Sequence, residues 1–229
     1  MLAGLGWKIA AEVVASVFGT MWAQYRPGTA PSPATLALLP LQSGNLIAAA
    51  LPGYVTPNAY QKTPMPLDPA KPRVHAVFDP AALAPGDYVV GSLEQGGASE
   101  TFYIATIESP APPAAVRCNA VVNVTRSVRT TVFGPQAALD TQPGNEITLL
   151  QGWPASILPT GRSATGDVRL PDDVNLGAYT VLLPSNIPVT LRSGDAITNT
   201  SAPEAIRAIV AAADMTDDGW RLLVQQASA

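Results

Sequence analysis

The sequence predicts a mainly β protein: small β-barrel or sandwich domains carrying an N-terminal α-helix and a proline-rich extended arm. Three observations predict this. From residue 73 onward, short runs of β-branched and aromatic residues alternate with turn residues. An apolar segment with helical spacing opens the chain. Ten of the 23 prolines crowd into residues 27–72, where no helix survives them. The expected division is a helix over 1–26, the arm over 27–72, a first β domain over 73–133 and a second, barrel-like one over 134–229.

The helix is read from its rows at i+4. Leu5, Ile9, Val13, Val17 and Met21 form one row, and Val14, Phe18 and Trp22 a second. Trp7, Ala11, Ala15, Gly19 and Ala23 form a third, mostly small row, and Lys8, Glu12, Ser16, Thr20 and Gln24 the polar one. A single narrow polar stripe means the helix must be covered on more than one side. Either its own domain covers it or another subunit does. Leu5, Ile9, Val13, Val17, Phe18, Met21 and Trp22 are the candidate subunit-interface residues. Arg26-Pro27-Gly28 ends the segment. Lys8 and Glu12 interrupt its apolar block, unlike a signal peptide, and no run of about 18 uninterrupted apolar residues marks a membrane span.

The arm holds Pro31-Ser32-Pro33, Pro52-Gly53 and Pro64-Met65-Pro66, yet also Leu38, Leu39, Leu41, Leu46, Ile47, Leu51 and Tyr54. Pure linkers lack such residues, so the expectation is an extended segment with short strand pieces, draped over a partner.

The β pattern follows. Pro85-Gly86-Asp87 is a turn signal leading into Tyr88-Val89-Val90, which forms a hairpin with the strand Thr101 to Ile107. The clearest alternation sets Val116, Cys118, Ala120, Val122 and Val124 on one face, and Arg117, Asn119, Asn123 and Thr125 on the other. Later strands are expected at Glu146–Leu150, at Gly152–Ile157 after a turn, at Tyr179–Leu183, at Pro188–Arg192 and, after Ser193-Gly194-Asp195, at Ala196–Thr198. Residues 205–213 are Ala-rich, which favours helix. The turn at Asp214–Gly219 and the β-type tail Trp220–Val224 favour a hairpin, which is the reading adopted. No internal sequence repeat is apparent.

Composition narrows the function. Charged residues make 13% of the 229, about half the roughly 25% of ordinary domains. Charge depletion marks the core of protein–protein interfaces, so much of this surface is expected to be covered in an assembly. The net charge of −4 and the pI near 4.9 argue against sequence-specific nucleic-acid binding, which needs a basic stripe. Arg117, Arg126 and Arg129 are the nearest thing to one. A lone cysteine, Cys118, excludes an intramolecular disulfide and, on the apolar face of its strand, reads as a packed thiol.

Chemistry has few candidates. A triad needs a base held by a carboxylate, and the sole histidine, His75, lies in a strand-like run. No Gly-x-Ser-x-Gly elbow and no phosphate-cradling glycine loop occur. One His and one Cys cannot furnish a usual zinc site. Asp172-Asp173 and the group Asp214, Asp217 and Asp218 read as turns rather than as a calcium loop or a glycosidase pair. No catalytic residue, metal or cofactor is expected.

The order of parts carries a resemblance. An apolar leading segment runs into Tyr25-Arg26-Pro27 and a proline-rich stretch. Pro85-Gly86-Asp87-Tyr88-Val89-Val90, Phe102-Tyr103-Ile104-Ala105 and Val116-Arg117-Cys118-Asn119 follow. Gly152-Trp153-Pro154-Ala155-Ser156, Gly194-Asp195-Ala196-Ile197-Thr198 and Gly219-Trp220-Arg221 come last. This resembles virion proteins encoded in the structural modules of tailed bacteriophages and prophages. The Gly-Asp-x-Ile turn with a late hairpin is similar to small β-barrel head-closure and neck proteins. The resemblance implies a homo-oligomeric ring at the head-to-tail junction, around the DNA channel. Its partners would be sister copies and other portal, neck or tail proteins, with neither sequence-specific DNA contacts nor a membrane. Its place would be the virion, assembled in the host cytoplasm. The alternative is a carbohydrate- or receptor-binding β module of a phage fibre or adhesin, for which Trp153 and Trp220 are the candidate platform residues.

Overall fold

Runs such as Tyr-Val-Val, Thr-Phe-Tyr-Ile and Leu-Leu-Val place branched and aromatic side chains on alternate faces, which suits a curved sheet with one face buried. A computed structural model describes residues 19–28, 39–56, 72–79, 81–94, 96–108, 111–127, 146–159, 178–201 and 206–226. Among the described residues these runs close into two six-stranded antiparallel barrels.

The first barrel comprises β1 (Thr20–Tyr25), β2 (Leu46–Thr56), β3 (Arg73–Val77), β4 (Tyr88–Ser92), β5 (Ser99–Thr106) and β6 (Ala114–Cys118). Its order is β1-β2-β3-β6-β5-β4, closed by β1 against β4. Trp22, Val74, Phe78, Val89, Phe102 and Ile104 fill it. The Trp22 ring meets Phe78 and Phe102 edge-on, at centroid distances of 5.9 and 5.8 Å. Its indole N–H donates to the Gly53 carbonyl at 3.1 Å. A Cβ on Gly53 would lie 1.8 Å from the Phe78 ring, so this large core ring requires a glycine on the wall beside it.

The second barrel comprises β7 (Ala120–Ser127), β8 (Glu146–Pro159), β9 (Ala178–Leu183), β10 (Ala196–Asn199), β11 (Ile206–Thr216) and β12 (Gly219–Gln226). Its order, β7-β8-β9-β12-β11-β10 with β10 closing on β7, is that of the first barrel shifted by six strands. Its core is mainly aliphatic, with Val122, Val124, Leu150, Val181, Leu183, Leu222 and Val224, and takes in Trp153 and Trp220 of its own strands.

The repeat extends to register. Pro52 stands opposite Met21, and Pro154 opposite Val121. The β1–β2 ladder slips between Trp22 and Gln24 and again before Tyr25; β7–β8 slips between Val122 and Val124 and again before Thr125. The β5–β6 ladder slips between Ile104 and Thr106, β11–β12 between Val210 and Ala212. Bulges bend a sheet where it must close, so matching bulges mean the two barrels close in the same way.

Several expectations need correction. Residues 20–25 form β1 and not the end of a helix: Thr20, Trp22 and Gln24 alternate with Met21 and Ala23, and the strand pairs on both sides. Residues 1–18 of the expected helix lie outside the described residues. The expected arm over 27–72 contributes β2, an eleven-residue stave of the first barrel, because its Leu46–Thr56 run finds ladder partners on β1 and β3. The rest of that stretch is described only at 27–28, 39–45 and 72. The division at 133/134 gives way to one at Asn119, between β6 and β7. The alternation over 116–124 therefore straddles two barrels. Residues 146–159 form one strand, since Gly152 at φ +65° kinks it without ending it. Pro188–Arg192 is not a strand; it is the loop that wraps back to the Gly194-Asp195 turn. The terminal hairpin is present as β11–β12. The missing sequence repeat conceals a repeat of architecture.

Candidate functional site

Each barrel is locked by one arginine fork on one buried aspartate. In the first, Gly86 at φ +89° turns the chain so that its N–H donates to the Ile104 carbonyl and the Ile104 N–H donates to the Asp87 carbonyl, at 2.7 and 2.8 Å. The Asp87 carboxylate then accepts from Arg26 Nε (2.7 Å), Arg26 Nη2 (2.8 Å) and the Ala84 N–H (2.8 Å). Gln24 Nε2 adds a fourth donor at 2.8 Å. In the second barrel Gly194 takes φ +90° and bonds to the Val210 carbonyl in the same way. Asp195 accepts from Arg126 Nε (2.6 Å), Arg126 Nη2 (2.8 Å) and the Arg192 N–H (2.9 Å). The hydrogen bond to the aspartate raises the pKa of each arginine, so both guanidiniums stay charged. With bidentate forks on both oxygens and almost no exposure, these carboxylates hold the wall together.

The two barrels meet on an outward row of the first. Tyr25, Tyr88, Tyr103, Val116 and Arg73 are successive ladder neighbours across β1, β4, β5, β6 and β3. Tyr88, Tyr103 and Val116 are fully buried, yet they belong to the core of the second barrel rather than to that of their own. The Tyr88 hydroxyl donates to the Pro154 carbonyl and the Tyr103 hydroxyl to the Asp218 carbonyl, each at 2.9 Å. The Tyr88 ring lies edge-on to Trp153 at 6.2 Å. Arg73 pairs with Asp218 at 3.0 Å. The row thus closes the end of the second barrel where β7 begins and the β11–β12 turn lies. Burial pushes both tyrosine phenols well above their usual range, so they stay neutral donors. Cys118 packs against the same core, and burial raises its thiol too, which makes it a poor nucleophile.

Beside the junction lies a cleft of about 410 Å³. Its walls are mostly apolar, with Leu158, Leu182 and Val116 alongside the Arg73–Asp218 pair and Arg221. No histidine or cysteine is among the described residues that line it. His75, the expected base, is half-buried on β3. Its Nδ1 is buried with no hydrogen-bond partner, so the carboxylate that orients a catalytic imidazole is missing at that atom. Desolvation, then the nearby Arg73 charge, lower its pKa. No group of three or more potential metal-ligating side chains occurs among the described residues. No helix among them is long and apolar enough to cross a membrane.

Of the candidate interface residues, Met21 is 66% exposed on the first barrel, and Trp22 is fully buried at its centre. Strand alternation, not a helical row, decides which of them faces out. Leu5, Ile9, Val13, Val17 and Phe18 lie outside the described residues. Trp153 and Trp220 are buried, so neither presents an indole face. Sequence reasoning missed the arginine–aspartate locks. The signal was there: Leu83-Ala84-Pro85-Gly86-Asp87 and Leu191-Arg192-Ser193-Gly194-Asp195 share Leu-x-x-Gly-Asp, and Arg26 directly follows the first strand of its barrel while Arg126 is the next-to-last residue of the first strand of the other.

Comparison of the chain with family models, with curated proteins and with solved structures finds no match in any of the three.

Proposed function

We propose that the chain is a structural component of a tailed-phage virion, forming an oligomeric ring at the head-to-tail junction around the DNA channel. The observation that carries this reading is the pair of closed barrels that leave large apolar side chains on their outer walls. Met21, Ile47, Ile147 and Met215 are each about half exposed or more. A thinly charged chain that keeps such residues outward is built to be covered by neighbours. Closed barrels have no free sheet edges, so contacts between copies are made by wall side chains and not by strand addition. The sequence resemblance to neck and head-closure proteins points the same way. Partners are sister copies and the portal, neck or tail proteins above and below. A carbohydrate-binding module is less well supported, because the described tryptophans are all interior.

Electron microscopy tests the proposal. The isolated protein is expected to show annular particles, and antibody labelling of purified virions to mark the neck. A protein that forms no rings and is absent from purified particles would overturn it.

A further inference from the structure

The repeat of the barrels identifies one surface whose partner is missing. In the second barrel the ladder positions matching Tyr25, Tyr88, Tyr103, Val116 and Arg73 are Thr125, Ala196, Ile209, Gln225 and Ala178. The match is fixed by register: Ile104 and Val210 make the same two backbone bonds to their Gly-Asp turns, one residue beyond Tyr103 and Ile209. In the first barrel this row is sealed against the next barrel in the chain. In the second barrel it is open over β11, β12 and β9, with Ile209 at 36% exposure and Gln225 and Ala178 exposed, while Ala196 is buried and Thr125 half-buried. The row carries no charge.

The complementary surface is also open. The second barrel receives the first at the end where β7 begins, with Pro154 opposite Val121. The corresponding end of the first barrel is where β1 begins, with Pro52 opposite Met21. There Met21 is the most exposed of the large apolar side chains, and Pro52 is exposed as well.

We propose that these two surfaces bind each other between copies: the Ile209 row of one chain docks on the Met21–Pro52 end of the next, repeating the contact that already joins the two barrels within a chain. This rests on the self-assembly part of the function proposed above and names its interface. Such a contact is head-to-tail, so repetition closes a ring or grows a filament. A ring of n chains would then be a circle of 2n near-equivalent barrels. The matching row lacks tyrosines, so the contact between chains has no counterpart of the two phenol hydrogen bonds. It is expected to be weaker than the internal one for want of those two bonds.

The test uses the full-length chain with two single variants and their mixture, read by light scattering with circular dichroism as the folding control. Ile209→Glu disables the row, and Met21→Glu disables the end that receives it. Each variant alone is expected to be a folded monomer. Mixed, they retain one intact row and one intact end between them, so the mixture is expected to give a dimer of twice 23.7 kDa and nothing larger. Gln225→Arg, at an exposed position of the same row, is expected to weaken assembly in the same direction and replaces Ile209→Glu if that variant misfolds. If the wild type is oligomeric and the variants assemble like it, this interface is wrong while the ring reading stands. If the wild type is monomeric at every concentration, both fall.

Discussion

The two barrels share strand order, bulges and the arginine–aspartate lock, yet they are filled and surfaced differently. The first has Trp22, Phe78 and Phe102 in contact at its centre; the second has mainly valine and leucine there, with Trp153 and Trp220 also in its core. The aromatic first core forces Gly53 on the wall beside Phe78; the second has Ala155 and Leu183 at those places. The first buries a polar side chain, Gln24, on its lock, where the second has Val124. Outside, one row is tyrosine-rich and covered, and its match is uncharged, without aromatics, and exposed at Ile209, Gln225 and Ala178. Closure is therefore set by backbone register and the lock, while side chains at matched positions are free to decide what each barrel binds. Core and surface vary together only where packing couples them, as at Gly53 and Phe78.

The largest expected effect is in the first core. Trp22→Ala removes the ring between two phenylalanines and is expected to destabilise the protein by about 3–5 kcal/mol, against about 2 kcal/mol for Val122→Ala at the matching place. Denaturant unfolding of both variants checks the difference, and equal losses would mean the cores are not centred on these residues. Next come the locks. Asp87→Ala and Asp195→Ala each strand an arginine fork and a backbone N–H, and each is expected to cost roughly 2–3 kcal/mol. A gap well beyond ~1 kcal/mol between them would break the equivalence of the two locks. Gly53→Ala pushes a methyl into the Phe78 ring and is expected to cost about 1–3 kcal/mol. The double variant with Phe78→Leu, which copies the second barrel, should recover part of that loss.

The smallest effect is a pH dependence. His75 holds its proton less tightly when folded than when unfolded, where its pKa is about 6.5. Below that value the unfolded chain takes up the proton more readily, so stability present above it is lost as pH falls. The matching residue in the second barrel is Thr180. His75→Thr is expected to reduce the drop in melting temperature between pH 7.5 and 5. An unchanged drop would assign it to other groups.

Much of the β content was legible in the sequence, because alternation and turn residues coincide at Tyr88–Val90, Thr101–Thr106, Ala120–Val124 and the last hairpin. The first strand was not. Over Thr20–Tyr25 apolar spacing fits a helix as well as a strand, and only pairing with β2 and β4 decides it. The β2 stave was hidden by its prolines and alanines: Pro52 is tolerated since it meets Met21 where the ladder is about to slip. The repeat was illegible as identity because closure needs few fixed residues, chiefly Gly-Asp, the arginine and a bulge-adjacent proline. The junction could not be read at all. Tyrosines at Tyr88 and Tyr103 are ordinary strand residues until the second barrel supplies Pro154 and Asp218 as acceptors.

The most direct test of the account is the sedimentation mass of the full-length wild-type chain as its concentration rises. The account predicts species of several times 23.7 kDa that dissociate on dilution and are lost in Ile209→Glu. A constant mass of one chain across the range would contradict it.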